Sequence, residues 1–457
     1  MLKLFKYLKA SIISILIIVG LLIVQAGLDL SLPDYTSKII NVGIGQNGIE
    51  NALVEVMSES TFKDLSLALN EEDEKYLLDN YKLIKKGNND YLDKYPILKE
   101  ENIYILDTKN KEKVEDILEY AFAVLYVGEM LGKTAYSEFQ IPEGMTFIDV
   151  LSNMDDTTRD ILLKNINSKL KEMPDTLLSS SSIEYVKSEY QKVGIDLSKL
   201  QTNYIMISGA KMLGIALLIM AVSIGITFFG SRLAARLAHT LRTKVFEKVV
   251  YFSKTEMKKF GTSSLITRTT NDIQQIQHVV VFLMRVVFYA PIIAFGGILK
   301  VSRADNSMLW ITVIAVVTLF IILGTLFIIA MPKFKKLQDL IDRLNLVARE
   351  TLSGIPVVRA FSNEKHEEKR FNKANKDLTN VMLFVNRTMS FMMPLMMLLM
   401  NVTCVAIVWY GAVGVDAGTI GVGDILAYIQ YTMQIIMAFL MISMISIMLP
   451  RASISAK

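Results

Sequence analysis

Few residues in this 457-residue sequence have the types and spacing of a catalytic or metal-binding site. The run GEMLGKT at 128–134 comes nearest to a phosphate-binding loop, but it has three residues between its glycines and such a loop needs four. His239, His278 and His366 lack the spacing of metal ligands, and the single cysteine, Cys404, lies in an apolar run. The sequence therefore predicts no catalytic residue, no metal site and no disulfide framework.

A second group of chemically capable residues lies inside long apolar runs. Arg285 is the strongest case, and Gln430 and Gln434 are one helical turn apart. Polar groups are costly in hydrocarbon, so they face the interior of a helical bundle, where a transport pathway would lie. Arg285 fits either a structural pairing or cargo contact, and the glutamines fit either helix-to-helix hydrogen bonding or cargo contact.

Methionines are dense in the last two apolar runs. Thioether side chains repack around varied shapes, so a methionine stripe favours a promiscuous hydrophobic cavity, although ordinary packing in lipid explains any single one. The stripes are Met392, Met393, Met396, Met397 and Met400, and Met433, Met437, Met441, Met444 and Met448. The predicted cavity residues are Arg285, Met393, Met397, Asn401, Gln430, Gln434, Met437 and Met441.

These residues need a membrane bundle to position them. The chain is 52% hydrophobic with a mean hydropathy of +0.38, which is too apolar for one soluble core. Lys3, Lys6 and Lys9 precede the first apolar run, and no small-residue cleavage site follows it, so we predict a retained helix. Six runs approach or exceed the length of a spanning helix, near residues 12–30, 207–229, 279–299, 309–331, 389–413 and 425–449.

Charge indicates the orientation of the spans. Residues 231–278 carry nine Lys/Arg and three acids, and residues 333–381 carry eleven and seven. Residues 31–206 instead carry 19 Lys/Arg and 31 Asp/Glu. The positive-inside rule therefore predicts cytoplasmic N- and C-termini and places residues 31–206, hereafter the insertion, outside the cytoplasm.

The insertion is predicted to be a mainly helical or α+β domain. Residues 71–84 and 113–130 have helical patterns, and the serines at 179–182 are a candidate break between elements. An acidic lid and a domain that recognises a substrate or partner are equally compatible with this pattern.

Two segments are predicted to be long helical hairpins: the first hairpin at 231–278 and the second at 333–383. Leu233, Leu237 and Leu241 recur every four residues, which continues a helix past the apolar run. The patterns break near Gly261 and again near Gly354. Rigid hairpins with short tips are suited to receive mechanical force from a soluble partner.

Eight short segments give the chain a family resemblance. It is similar to the membrane domain of ABC exporters, specifically the bacterial half-transporters that work as heterodimers and are usually called multidrug exporters. The matching segments are 30–35, 39–44, 261–265, 267–268, 270–272, 349–361, 430–434 and 450–453.

The resemblance implies an all-α membrane protein of the ABC exporter type 1 fold. Residues 1–30 would hold the first span, 31–206 the insertion, and 207–457 the other five spans. The tips near 251–260 and 351–361 would be coupling helices that dock on ATP-binding domains. The coupling residues this implies are Thr255, Phe260, Gly261, Glu350, Leu352, Gly354, Val357, Arg359 and Phe361.

The insertion is larger than in most members of that family, and the sequence given stops where the family continues into a nucleotide-binding domain. We expect either a fragment of a longer chain or a cassette on a separate polypeptide, and favour the first. This chain would hold no cofactor, while ATP and Mg would bind in the associated nucleotide-binding domains.

The function this predicts is ATP-driven export of hydrophobic or amphipathic small molecules across a bacterial cell membrane by alternating access. Expected partners are a second, different half-transporter, the nucleotide-binding domains, the bilayer and a small hydrophobic substrate, with no nucleic acid. A peptide or lipid exporter, and a membrane sensor with an outer ligand-binding domain, are the alternatives.

Overall fold

The computed structural model describes residues 11–455 except 93, 109, 133–144, 172, 174 and 305–307. Lys3, Lys6 and Lys9, and the last two residues of the 128–134 run, lie outside the described residues. By Cα proximity the chain divides into two compact units. The insertion unit comprises Leu28–Ala221 and Tyr410–Tyr428, and the spanning unit comprises the chain up to Gly27, Val222–Trp409 and the chain from Ile429.

The prediction of six membrane-capable helices is confirmed for the described part of the chain. Each segment contains a strongly apolar window, and several are far longer than the ~20 residues that a bilayer requires. The predicted apolar runs are therefore sections of longer helices. The segments are Ile12–Gly45, Leu197–Val250, Thr262–Arg303, Leu309–Ser353, Glu364–Asp416 and Val422–Ile442.

The helices are numbered in chain order. Those before the second span are α1 (Ile12–Asp29), α2 (Leu32–Lys38), α3 (Glu59–Ser66), α4 (Glu71–Asn80), α5 (Asn89–Leu92), α6 (Lys111–Gly132), α7 (Phe147–Ser152), α8 (Asp156–Leu170) and α9 (Asp175–Val193). The others are α10 (Leu197–Val250), α11 (Lys254–Phe260), α12 (Thr262–Thr267), α13 (Ile273–Ala304), α14 (Leu309–Ser353), α15 (Ile355–Ala360), α16 (Glu364–Ser390), α17 (Met392–Asp416) and α18 (Val422–Ser455). Ile39–Gly45 and Arg268–Asp272 are π-helical, and Pro96–Lys99 is a 3₁₀ turn.

The insertion unit combines helices with a small antiparallel sheet. Strands β1 (Val56–Ser58), β2 (Tyr81–Ile84) and β3 (Ile103–Leu106) lie in the order β1-β3-β2. In this register Val56 pairs with Ile105 and Tyr81 pairs with Leu106. The unit is therefore an α+β structure.

Two local expectations for the insertion are wrong. The helix predicted over 71–84 ends at Asn80, because Tyr81–Ile84 pairs with β3 and the Tyr81 hydroxyl donates to the Val54 carbonyl at 2.6 Å. The serines at 179–182 do not break a helix but lie inside α9. Ser180 donates to the Thr176 carbonyl, and Ser182 donates to the carbonyls of Leu178 and Glu119, so their hydroxyls bond to helical backbone.

The core of the insertion unit forms around α6. Leu118 and Phe122 of this helix are fully buried and belong to a cluster with Leu77 and Phe147. Each such side chain stabilises the fold by roughly 1.5–3 kcal/mol. A Cβ atom at Gly128 would lie 2.2 Å from Cε1 of Phe147, so this glycine is required for packing. The first glycine of the 128–134 run therefore lies in a helix, against the core.

A buried carboxylate joins α9 to β1 and α3. Glu189 is only 3% exposed and accepts from the Ser58 backbone N–H and the Thr61 hydroxyl, both at 2.5 Å. Next to it, the Tyr190 hydroxyl accepts from the Glu55 N–H at 3.2 Å, and burial raises the pKa of Tyr190 to about 12. These polar contacts fix the last long helix of the insertion on the sheet.

Two hydrophobic clusters organise the spanning unit. In the first, Ile18 of α1 packs with Leu233 and Leu237 of α10 and with Ile276 of α13. In the second, α14, α17 and α18 meet through Leu319, Met396, Leu399, Ile436 and Leu440. The first three and the last three spans therefore each have a packed core.

We expect Glu189→Ala to destabilise the insertion unit by about 1–3 kcal/mol, because it leaves the buried Ser58 N–H without an acceptor. The unfolding temperature of the chain in detergent, measured by light scattering, reports the loss of stability. Limited proteolysis within residues 28–221 shows whether the insertion unit is the part that unfolds. Glu184→Ala is the matched control, since Glu184 is a 69% exposed side chain on the same helix. Equal unfolding temperatures for the two variants would contradict this role for Glu189.

Candidate functional site

The first hairpin ends in a short capped helix. Ser253 precedes α11 and accepts from the Glu256 N–H at 3.3 Å, while the Glu256 carboxylate accepts from the Ser253 N–H at 2.8 Å. These hydrogen bonds lower the pKa of Glu256. The cap is therefore complete above the ordinary pKa of a glutamate and is lost as pH falls through the lowered pKa. Gly261 ends the helix with φ of +68°, a left-handed conformation that favours glycine.

Aromatic contacts hold this tip in place. Phe252 and Phe260 stack with their ring centroids 5.6 Å apart, and the Arg268 guanidinium lies 5.3 Å from the Phe260 centroid. Tyr251 is 88% exposed, and Thr255 is also exposed. The predicted residue Phe260 is thus a packing anchor, while Thr255 is available to a partner.

The second hairpin has a tip of similar size with an apolar exposed surface. α14 ends at Ser353, and α15 begins after Gly354 with Pro356 in its first turn. Leu352, Val357 and Phe361 are 69%, 61% and 80% exposed. Arg359 is exposed beside them. Four of the predicted coupling residues therefore lie on one short exposed segment.

A polar network ties the two arms of the second hairpin together below this tip. Arg370 of α16 is paired with Glu350 of α14, and it also lies 3.6 Å from Glu367. Glu367 accepts from the Thr351 hydroxyl at 2.9 Å. Glu350, predicted as a coupling residue, is thus engaged within the hairpin. Sequence reasoning missed Arg370 and Glu367, although their i,i+3 spacing was a readable signal.

A cavity of about 550 Å³ lies between this network and the tip. Leu352, Ile355, Val358 and Phe371 supply apolar walls. Backbone turns bound the second tip at its two ends, and the Glu350–Arg370 pair joins the two arms next to it.

The predicted cargo residues divide into exposed and half-buried sets. Arg285 is exposed on α13, and Met393, Met397 and Asn401 share one exposed face of α17 at four-residue spacing. Met437 is 46% exposed. Gln430, Gln434 and Met441 of α18 are half-buried.

The methionine stripe has two faces. Met396 is 2% exposed and belongs to the core of α14, α17 and α18, whereas Met397 is 66% exposed. Ordinary packing thus accounts for Met396, and the exposed face of α17 retains Met393 and Met397. The side chains of Met444 and Met448 lie outside those that the structure describes.

A buried polar pair that sequence reasoning missed joins α14 to α18. The hydroxyls of Thr312 and Thr432 are 3.1 Å apart, and both residues are buried. Thr432 lies between Gln430 and Gln434 in the sequence. The hydrogen bond therefore fixes the rotation of α18 about its axis, and that rotation determines which way the two glutamines face. A threonine within an apolar run was the only signal for it.

Comparison with known proteins adds an independent finding. Residues 175–439, more than half of the chain, match the family model described as ABC transporter transmembrane region. An uncharacterized ABC transporter ATP-binding protein of Mycobacterium tuberculosis (strain CDC 1551 / Oshkosh) is 36% identical over 280 residues, which are 61% of this chain and 48% of the relative.

Two further relatives are more distant. An uncharacterized ABC transporter ATP-binding protein of Bacillus subtilis (strain 168) is 30% identical over 259 residues, covering 56% of this chain and 45% of the relative. An ATP-dependent lipid A-core flippase of Pseudomonas fluorescens (strain Pf0-1) is 26% identical over 209 residues, covering 44% and 33%. The chain thus spans about half the length, or less, of the curated relatives it matches.

We expect Glu350→Arg and Arg370→Glu each to loosen the second tip, because each places like charges together across the hairpin. The combined variant restores opposite charges and should return the second tip to most of its original order. The exchange rate of the α15 backbone amides measures how ordered the tip is. Asp377→Lys is the control, since Asp377 contacts Arg343 at 3.8 Å on the same two helices, farther from the tip. A combined variant as mobile as the worse single one would contradict the pairing.

Proposed function

Since the chain belongs to the family of ABC transporter transmembrane regions, we propose that it is the membrane part of an ATP-driven exporter of hydrophobic or amphipathic small molecules. The observation that carries this proposal is the pair of tips, each a short helix at the end of a long hairpin with large apolar side chains exposed to solvent. Such side chains favour a protein partner that covers them.

The tips would transmit force from nucleotide-binding domains. Burying an exposed Leu, Val or Phe side chain contributes roughly 1.5–3 kcal/mol, so Leu352, Val357 and Phe361 together could hold a tip on its partner. ATP and Mg²⁺ would bind in those associated domains. The continuous helices α10 and α14 would carry the displacement from the tips into the spans.

The orientation we propose follows from charge. The first and second hairpins are rich in Lys and Arg, which supports a cytoplasmic position in a bacterial cell for them and for both termini. The acidic insertion would then lie outside the cell membrane. This arrangement puts the tips in the compartment that contains ATP.

Transport would proceed by alternating access between this chain and a second half-transporter, which we propose to be a different polypeptide. The exposed face of α17, with Met393, Met397 and Asn401, would line the shared cavity together with Arg285 and Met437. Flexible thioethers accommodate cargo of varied shape. The Gln430 and Gln434 amides would supply hydrogen bonds from α18.

Lipid is the second candidate cargo. The Pseudomonas relative is named an ATP-dependent lipid A-core flippase, and Arg285 is the one charged residue in the apolar stretch 279–299 of α13. A cation in that position would suit an anionic headgroup. A sensor role for the insertion is compatible with transport, whereas a sensor alone would leave both tips without a use.

Coupling is tested with the full coding sequence and its neighbouring half-transporter in inverted membrane vesicles. We expect Leu352→Asp and Phe361→Asp to abolish ethidium export while leaving basal ATP hydrolysis measurable, because an aspartate at the contact cannot be buried without cost. Ile161→Asp is the control, since Ile161 is 60% exposed in the insertion. Unimpaired export in both tip variants would contradict the coupling proposal.

Cargo class is tested at Arg285. Arg285→Ala removes this positive charge, which repels cationic ethidium and attracts the anionic headgroup of phosphatidylglycerol. The variant should therefore strengthen ethidium transport and abolish the flipping of a fluorescent phosphatidylglycerol. Arg285→Lys, which keeps the charge, should behave like the unmodified chain in both assays. If Arg285→Ala alters neither transport rate, Arg285 does not line the cavity.

A further inference from the structure

The turn between α17 and α18 is tightly constructed. Gly418 has φ of +69°, the Ala417 N–H donates to the Val413 carbonyl at 3.0 Å, and the Thr419 N–H donates to the Gly414 carbonyl at 2.9 Å. This turn connects the last two spanning helices, and it belongs to the insertion unit. Its position is therefore set by contacts with residues far away in the sequence.

The first of these contacts comes from the start of α9. The Thr176 hydroxyl donates to the Gly418 carbonyl at 2.5 Å. A Cβ atom at position 418 would lie 2.2 Å from Cδ1 of Leu177. Two features thus require glycine at position 418: its positive φ and the close approach of the Leu177 side chain.

The second set of contacts comes from the chain just after α1. The Asn41 amide oxygen accepts from the Gly423 N–H at 2.6 Å, and the Ser37 hydroxyl donates to the Asp424 carboxylate at 2.6 Å. The same carboxylate accepts from the Gly421 N–H at 2.9 Å. These bonds attach the start of α18 to the continuation of the first span, so the turn is held on both sides.

We infer that the insertion restrains this turn and thereby controls how readily the outer ends of the last two spans separate. Thr176 and Leu177 must leave Gly418 before α17 and α18 can part at the turn. A molecule that binds the insertion and moves α9 would therefore change transport through this contact. The consequence for transport rests on the proposed function, whereas the restraint itself does not.

Hydrogen exchange on the full-length protein in lipid nanodiscs tests the restraint. Thr176→Val keeps the side-chain shape but removes the hydroxyl, so exchange of the amides at 417–419 should rise about fivefold. Thr176→Ser should restore the slow exchange. Thr158→Val is the control, because it removes an equivalent hydroxyl contact, to Asp155 at 2.7 Å, elsewhere in the insertion.

Glycine substitutions separate contact from backbone strain. Gly418→Ala should raise exchange across the turn more than Gly87→Ala raises it locally, because Gly87 has φ of +80° but nothing within 4 Å of its Cβ position. Combining Gly418→Ala with Leu177→Ala should recover part of the effect.

ATP hydrolysis by the same preparations, with the partner half-transporter present, completes the test. Faster exchange with altered hydrolysis in Thr176→Val supports the inference. Unchanged exchange, or exchange that rises equally in Thr158→Val, would overturn the restraint, and faster exchange with unaltered hydrolysis would overturn its control of transport. If no preparation hydrolyses ATP, including the unmodified protein, the proposed function fails while the exchange result still decides the restraint.

Discussion

The requirement that backbone N–H and C=O groups be satisfied within hydrocarbon determines the rest of this structure. It makes the spans helical, and four of the six segments run for 42 residues or more, beyond what a bilayer needs. The 54-residue helix α10 and the 45-residue helix α14, which contains Pro332, each continue from a span into a hairpin. A hairpin built this way can transmit displacement, because bending it would break backbone hydrogen bonds.

Sequence predicted the features that depend on one residue type at a fixed period. The four-residue spacing of Leu233 and Leu237 predicted a helix beyond the apolar run, and both side chains are buried against α1 and α13. Gly261 and Gly354 marked the breaks at the tips: Gly261 follows the first tip helix with φ of +68°, and Gly354 lies between α14 and α15. Hydropathy and local turn chemistry thus sufficed for the spans and the tips.

Features that depend on a distant partner could not be predicted in the same way. Tyr81 begins a strand instead of ending a helix because β3 supplies its hydrogen bonds, and Ser182 stays helical because its hydroxyl has carbonyl acceptors in α9 and α6. Met396 and Met397 are neighbours of one type, yet only Met396 faces the core of α14 and α18. The Thr312–Thr432 pair is separated by 120 residues, so a threonine within an apolar run could signal a polar contact but not its partner.

A few contacts hold the turn at Gly418, and their small number makes this turn a suitable point of control. One neutral hydrogen bond such as that from Thr176 contributes about 0.5–1.5 kcal/mol. That contribution lies near the lower end of the roughly 1–3 kcal/mol typical of coupling between sites in allosteric proteins. A restraint of that size can bias an equilibrium between closed and open forms several-fold without preventing it. A much stronger contact would lock the turn, and a much weaker one would not transmit the state of the insertion to α17 and α18.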